Sequence, residues 1–135
     1  MDSKTQKKIT TWLISACLLI FLMVIIGGVT RLTRSGLSMV EWHPISGVFP
    51  PLTDNAWQEE FEKYQQFPEY QKLNQGMTLS QFKFIFFWEY VHRLIGRLLG
   101  IFFIIPFAYF LIMKKLNLPL MKKLLFMFVL GGLQG

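Results

Sequence analysis

The chain has 135 residues, 53% of them hydrophobic and 16% aromatic, and a formal charge of +6. So much apolar content excludes an ordinary soluble domain, and the placing of the charge excludes a nucleic-acid binder. Lys4, Lys7 and Lys8 precede the first long apolar run, and Lys114, Lys115, Lys122 and Lys123 follow the second. These are the basic flanks of a positive-inside membrane protein, both facing the cytoplasm or its equivalent. The fold class is all-α integral membrane.

The first membrane helix is predicted over about 11–29, uncharged and close to the ~20 residues that cross the hydrocarbon. It is too long for the apolar region of a cleaved signal, and no small-residue cleavage site follows it. Trp12 is expected at the inner membrane interface, and Cys17 as a small apolar filler. Gly27 and Gly28 near the outer end would let a neighbouring helix or a flat ligand approach closely.

From about 30 to 78 the chain is polar and, by the charge rule, outside. It holds Glu41, Asp54, Glu59, Glu60, Glu62 and Glu69, six of the eight acidic residues. Pro44, Pro50 and Pro51 argue against a helix in its first part. Trp57, Phe61 and Tyr64 share a helical face, which predicts a short amphipathic helix over about 54–67, capped by Asp54 or Asn55 and closed by Pro68.

Thr78 and Gln81 have capping-box spacing, so a long second membrane helix is predicted over about 79–113. Phe82, Phe84, Phe86, Phe87, Trp88 and Tyr90 form an aromatic belt at its outer end, and Pro106 is expected to kink its inner half. Counting ~20 residues back from Met113 puts the outer hydrocarbon boundary near Leu94. An incomplete membrane helix follows over about 120–135, its dozen apolar residues being too few to span. The sequence therefore reads as the N-terminal piece of a longer protein, expected to be inactive alone.

The chemistry-bearing stretch is Glu89 to Gly100. At about 100° per residue, Glu89, His92, Arg93, Gly96 and Gly100 share one helix face, with Arg97 at its margin. Ionisable groups at a membrane boundary are costly and usually functional. His92 beside the glycines suits an axial heme ligand with clearance for a flat ring at Gly96 and Gly100. An interhelical hydrogen bond, another metal or a proton relay remain open for it. Glu89 is either an acid–base or substrate-orienting group or the ion-pair partner of Arg93. Arg93 and Arg97 suit heme propionates or phospholipid headgroups. Arg31 and Arg34 oppose the positive-inside trend and point to an anionic partner. His43 reads as a loop-stabilising side chain, with a ligand role as the alternative.

The run Gly27-Gly28-Val29-Thr30-Arg31-Leu32-Thr33-Arg34-Ser35-Gly36-Leu37-Ser38, then Glu41-Trp42 and Pro50-Pro51-Leu52, resembles the first helix and loop of the heme A synthases. Phe61-x-x-Tyr64-Gln65-x-x-Pro68-Glu69-Tyr70, Asn74-x-Gly76-Met77 and Glu89-x-x-His92-Arg93-x-x-Gly96-Arg97 continue the resemblance in order. It implies an eight-helix membrane enzyme of two similar four-helix halves, this chain lying in the first. The implied reaction oxidises a peripheral methyl of heme o to the formyl of heme a by successive hydroxylations, supplying cytochrome c oxidase.

It implies further that the N-terminal half receives heme o through His92 and a histidine beyond residue 135, with Glu89 catalytic, and that the C-terminal half holds heme b. Arg31, Arg34, Arg93 and Arg97 become propionate partners. The first outer loop lacks the cysteine pair of one branch of the family, which places the chain with the proteobacterial and mitochondrial type. The implied setting is the bacterial or mitochondrial inner membrane, with the N-terminus on the cytoplasmic or matrix side. The implied partners are membrane lipid, heme o synthase, cytochrome oxidase assembly proteins and a second copy of the chain. A non-enzymatic b-type cytochrome and a heme-free assembly subunit are the competing functions.

Overall fold

The computed structural model describes residues 2–41, 43 and 45–134. Trp42 and Pro44 of the loop motif and the terminal Gly135 lie outside the described residues. Five α-helices appear in the order α1 (Ser3–Leu32), α2 (Asp54–Gln65), α3 (Pro68–Leu73), α4 (Leu79–Ile112) and α5 (Leu118–Gln134), with a 3-10 turn at Ser46–Val48. By length and apolar content, α1 and α4 can each cross a membrane. The described residues divide into two compact units, 1–23 with 95–135 and 24–94, and α1 and α4 contribute residues to both.

In the first of these units α1 begins well before its apolar run. Asp2 caps it by accepting from the Thr5 amide at 3.0 Å, so the lysine segment is helical as well. The core gathers Ile9, Trp12, Phe107, Phe110 and Leu124 from α1, α4 and α5. Asn117 caps α5 through the Leu120 amide at 2.9 Å, and α5 runs back along α4, bringing Phe128 onto Phe103.

Trp12, expected at the inner membrane interface, packs between α1 and α4. It is buried, packed against Phe103 and Phe110, and its indole N–H donates to the Phe102 carbonyl at 3.1 Å. The reason lies four residues on. Pro106 has no N–H to give the carbonyl of residue i−4, which is Phe102, so α4 carries an orphaned acceptor within its apolar length. Trp12 fills it from the neighbouring helix. Where bilayer rather than water surrounds the helices, such a bond matters, since apolar burial alone drives little association.

In the other unit α2 is capped by Thr53, whose Oγ1 accepts from the Ala56 amide at 3.2 Å, rather than by Asp54 or Asn55. It ends at Gln65. Pro68 does not simply close it but opens α3, at the N1 position where its fixed φ suits a helix. The capping box at α4 forms as the spacing predicted: Thr78 N–H donates to Gln81 Oε1 at 2.9 Å, and Gln81 N–H returns a bond to Thr78 Oγ1 at 3.3 Å.

The aromatic belt is divided. Phe82 and Phe86 are buried against Phe61 and Tyr64 of α2, with Trp57 and Tyr70 at the margin, whereas Phe84 and Phe87 stay exposed. Each large aromatic covered in this way gains about 1.5–3 kcal/mol against water, as an upper bound. That burial holds α2 on the N-terminal end of α4. Tyr64 further accepts from Asn74 Nδ2 at 2.6 Å, tying α2 to the end of α3, and burial pushes its phenol up.

Candidate functional site

Within residues 24–94 the N-terminal part of α4 faces the end of α1 and the loop that leaves it. That loop is bent hard. Ser35 N–H reaches back to the Thr30 carbonyl at 2.9 Å, with Arg34 in the left-handed region at φ +52°, where glycine is the usual helix terminator. Leu37 follows at φ +68°. Non-glycine residues adopt this conformation only when surrounding bonds hold them there.

The holding bonds come from α4. Glu89 is 5% exposed, and both of its oxygens are hydrogen-bonded. Oε2 accepts from Ser38 Oγ at 2.7 Å and from the Met39 amide at 2.8 Å; Oε1 accepts from Arg93 Nη2 at 2.6 Å. Arg93 Nη2 also donates to the Met39 carbonyl at 3.3 Å. Two side chains one helical turn apart thus take both backbone groups of Met39. Ser38, itself wholly buried, has its Oγ 2.8 Å from the Ser35 carbonyl as well. The ion-pair reading of Glu89 and Arg93 is met, and the carboxylate gains two loop donors that spacing did not disclose.

His92 is half-buried. Its imidazole has no hydrogen-bond partner among the described residues. A Cβ built on Gly27 would stand 3.2 Å from its Nε2, so the missing side chain of Gly27 is what leaves the ring nitrogen room. Arg93 Nη1 and Trp88 Nε1 are buried donors without an acceptor. An imidazole nitrogen set against a glycine and a guanidinium nitrogen to spare one residue along are the kinds of group that hold an iron-bearing, dianionic ring. Among the described residues no three His, Cys, Asp or Glu side chains gather as a site for a bare ion.

The remaining predicted residues fall elsewhere. Arg31 and Arg34 belong to the same unit as His92 and are exposed. Gly96, Arg97 and Gly100 belong to the other unit. There a Cβ on Gly96 would meet Met23 Cε at 3.3 Å, so Gly96 serves close packing of α1 on α4, while Gly100 is exposed with nothing within 4 Å. His43 pairs with Glu41 at 2.9 Å, and Lys63 reaches Glu41 at 3.3 Å and Glu60 at 3.1 Å. The bond from His43, then that from Lys63, holds the Glu41 carboxyl below its usual range, and Glu60 raises Lys63. His43 thus stabilises the loop. Ser38 and Met39 are the site residues that sequence reasoning missed, and neither gave a signal. Gly27 was singled out with Gly28 for the close approach of a helix or a flat ligand, but not as the neighbour of His92.

Residues 10–135 match the COX15-CtaA family, described as cytochrome oxidase assembly protein. The chain is similar to the heme A synthase of Flavobacterium psychrophilum, at 54% identity over 98% of this chain and 40% of that protein. The heme A synthase of Nitrosospira multiformis is 58% identical over 96% of this chain and 36% of its own length. That of Bradyrhizobium diazoefficiens is 50% identical over 98% and 37% respectively. The chain therefore spans under half the length of these relatives. No solved structure matches it.

Proposed function

Because the chain belongs to the COX15-CtaA family of cytochrome oxidase assembly proteins, we propose that it forms the N-terminal part of a heme A synthase. This is an integral membrane oxidoreductase that converts a peripheral methyl of heme o to the formyl of heme a by successive hydroxylations, for use in cytochrome c oxidase. The observation that carries the reading is an imidazole at His92 with no partner among the described residues beside a buried, hydrogen-bonded carboxylate at Glu89, three residues apart on one helix.

In this reading the chain's residues bind and orient heme o. His92 is an axial ligand through the nitrogen that Gly27 leaves clear. Arg93 Nη1, buried without an acceptor, takes a propionate oxygen, and the exposed Arg31 and Arg34 offer further charge to the propionates. Glu89 is the acid–base group at the ring edge, and Arg93 and the Met39 amide hold its orientation. A heme b in the remaining half supplies one-electron redox chemistry when bound. The helices cross the bacterial or mitochondrial inner membrane within an eight-helix protein, with the lysine-rich segments on the cytoplasmic or matrix side. Heme o synthase and oxidase assembly proteins are the natural neighbours.

Expression of the full-length protein in a strain lacking the enzyme, followed by heme extraction, tests the proposal. Heme a should appear. Accumulation of heme o without heme a would overturn it. Glu89→Ala should abolish formyl formation and spare heme content; intact activity would remove Glu89 from catalysis. One observation favours a second reading: two of Glu89's three hydrogen bonds hold the loop, as they would in a b-type cytochrome that only carries electrons. Heme extraction separates the two, because a b-type cytochrome leaves heme o unconverted.

A further inference from the structure

The bonds around Glu89 contain a proton deficit. Ser38 Oγ stands 2.7 Å from Glu89 Oε2 and 2.8 Å from the Ser35 carbonyl oxygen. Both neighbours are acceptors while Glu89 is ionised, and a hydroxyl carries a single proton. One of the two contacts is therefore without a hydrogen in that state. A proton on Oε2 completes the set: Glu89 donates to Ser38 Oγ, and Ser38 donates to the Ser35 carbonyl. Met39 N–H and Arg93 Nη2 keep their bonds to the carboxyl in either case. Only the Ser38 O–H has to turn.

We infer that Ser38 is the positioning residue of Glu89, a hydroxyl whose rotation lets the carboxyl gain and lose a proton while the strained loop and the helix stay in place. The inference rests on the acid–base role proposed above for Glu89. It fits the burial, since Ser38 and Ser35 are both enclosed away from bulk water. It also gives a reason for the left-handed turn at Leu37, which carries the chain from Ser35 to Ser38 and aims the hydroxyl back at both acceptors. The charged group facing the carboxyl is Arg93 on its own helix. From α2, Tyr64 is near enough to feel its charge.

The test uses full-length protein carrying Ser38→Ala or Ser38→Thr. Turnover of heme o per bound heme is followed against pH, with heme content measured in parallel. Ser38→Ala should lower kcat roughly ten- to hundredfold, within the range a positioned acid–base group contributes. KM and heme content should hold, the pH profile should move, and Ser38→Thr should restore both rate and profile. Wild-type kcat in Ser38→Ala would overturn the inference. So would equal loss in Ala and Thr, or a loss matched by lost heme, since each marks a packing role. Should Ser38→Ala fail to fold, Ser38→Cys keeps the shape with a weaker donor: reduced turnover per heme supports the role, and wild-type turnover overturns it. Glu89→Gln separates the layers. If it stays active, the acid–base reading and this inference fall together; if it is inactive while Ser38→Ala is normal, only the role of Ser38 falls.

Discussion

Glu89 and Glu41 are both carboxylates that fasten the loop after α1, and both take a nearby cation, yet they are different devices. The Glu89 side chain is 7% exposed and its cation is a guanidinium one helical turn along the same rigid helix. The Glu41 side chain is 47% exposed, and its partners are an imidazole two residues away and the flexible tip of Lys63. Water screens the second set and is largely excluded from the first, so similar hydrogen bonds carry very different weight. Burial makes Glu89 costly to leave unpaired, and the fold responds by giving it a charge, a hydroxyl and a backbone amide together. A loop tied by Glu89 is fixed in position; a loop tied by Glu41 is merely favoured.

The sharpest way to break this contrast is to take away one cation from each set. Arg93→Met leaves the Glu89 charge buried with only two neutral donors, and should cost about 3–5 kcal/mol, the usual penalty for stripping one partner from a buried pair. Thermal loss of helical ellipticity in the full-length protein would register it. Lys63→Met should leave the melting curve where it was. Equal, small shifts in both variants would mean that Glu89 is as well hydrated as Glu41, and the contrast would be lost.

A smaller change probes the neighbouring imidazole. Gly27→Ala sets a methyl 3.2 Å from His92 Nε2, tighter than an ordinary contact, whereas Gly28→Ala meets nothing within 4 Å. Heme occupancy of the N-terminal half should fall roughly twofold or more in the first variant, since small displacements of a ligand weaken a preorganised site. It should hold in the second. Matching behaviour of the two would remove the Gly27 clearance from the account of His92. An exposed cluster such as Glu41 with His43 has no position where one methyl should matter so much.

The parts of this architecture legible in the sequence were those written in local spacing. The two long helices, the Thr78 capping box, the amphipathic face of α2 and the Glu89–Arg93 pair all follow from residues within one or two turns of each other. What was hidden depends on partners distant in the chain. Ser38 and Glu89 are 51 positions apart, and no periodicity connects them. Trp12 looked like an interface indole because nothing local says that Pro106 leaves the Phe102 carbonyl bare 90 residues away. The aromatic belt misled in the same way: lipid and a covering helix ask for the same residues, and only packing against α2 tells Phe82 from Phe84. Close approach of a helix or flat ligand was read for Gly27 and Gly28, but only the packing of α1 on α4 sets Gly27 against His92.

The gentlest test of the contrast is acid. Glu41 is held below the ordinary carboxylate value of 4.5, first by the bond from His43 and then by Lys63. A carboxyl whose folded pKa is depressed lends its stability above the unfolded value and loses it as pH falls through the folded one. Pairing of Glu41 with Lys63 of α2 should therefore be intact at pH 6 and weaken progressively below about pH 4.5. Amide exchange around Glu41 and Lys63, corrected for intrinsic rates, should rise over that window in the wild type and be flat in Glu41→Gln. Exchange of the Met39 amide should not follow, because its acceptor is the enclosed Glu89 oxygen, whose other donors persist. If Met39 and Lys63 lose protection together, the loop is one cooperative piece. The two carboxylates would then be a single latch with an exposed and a buried end.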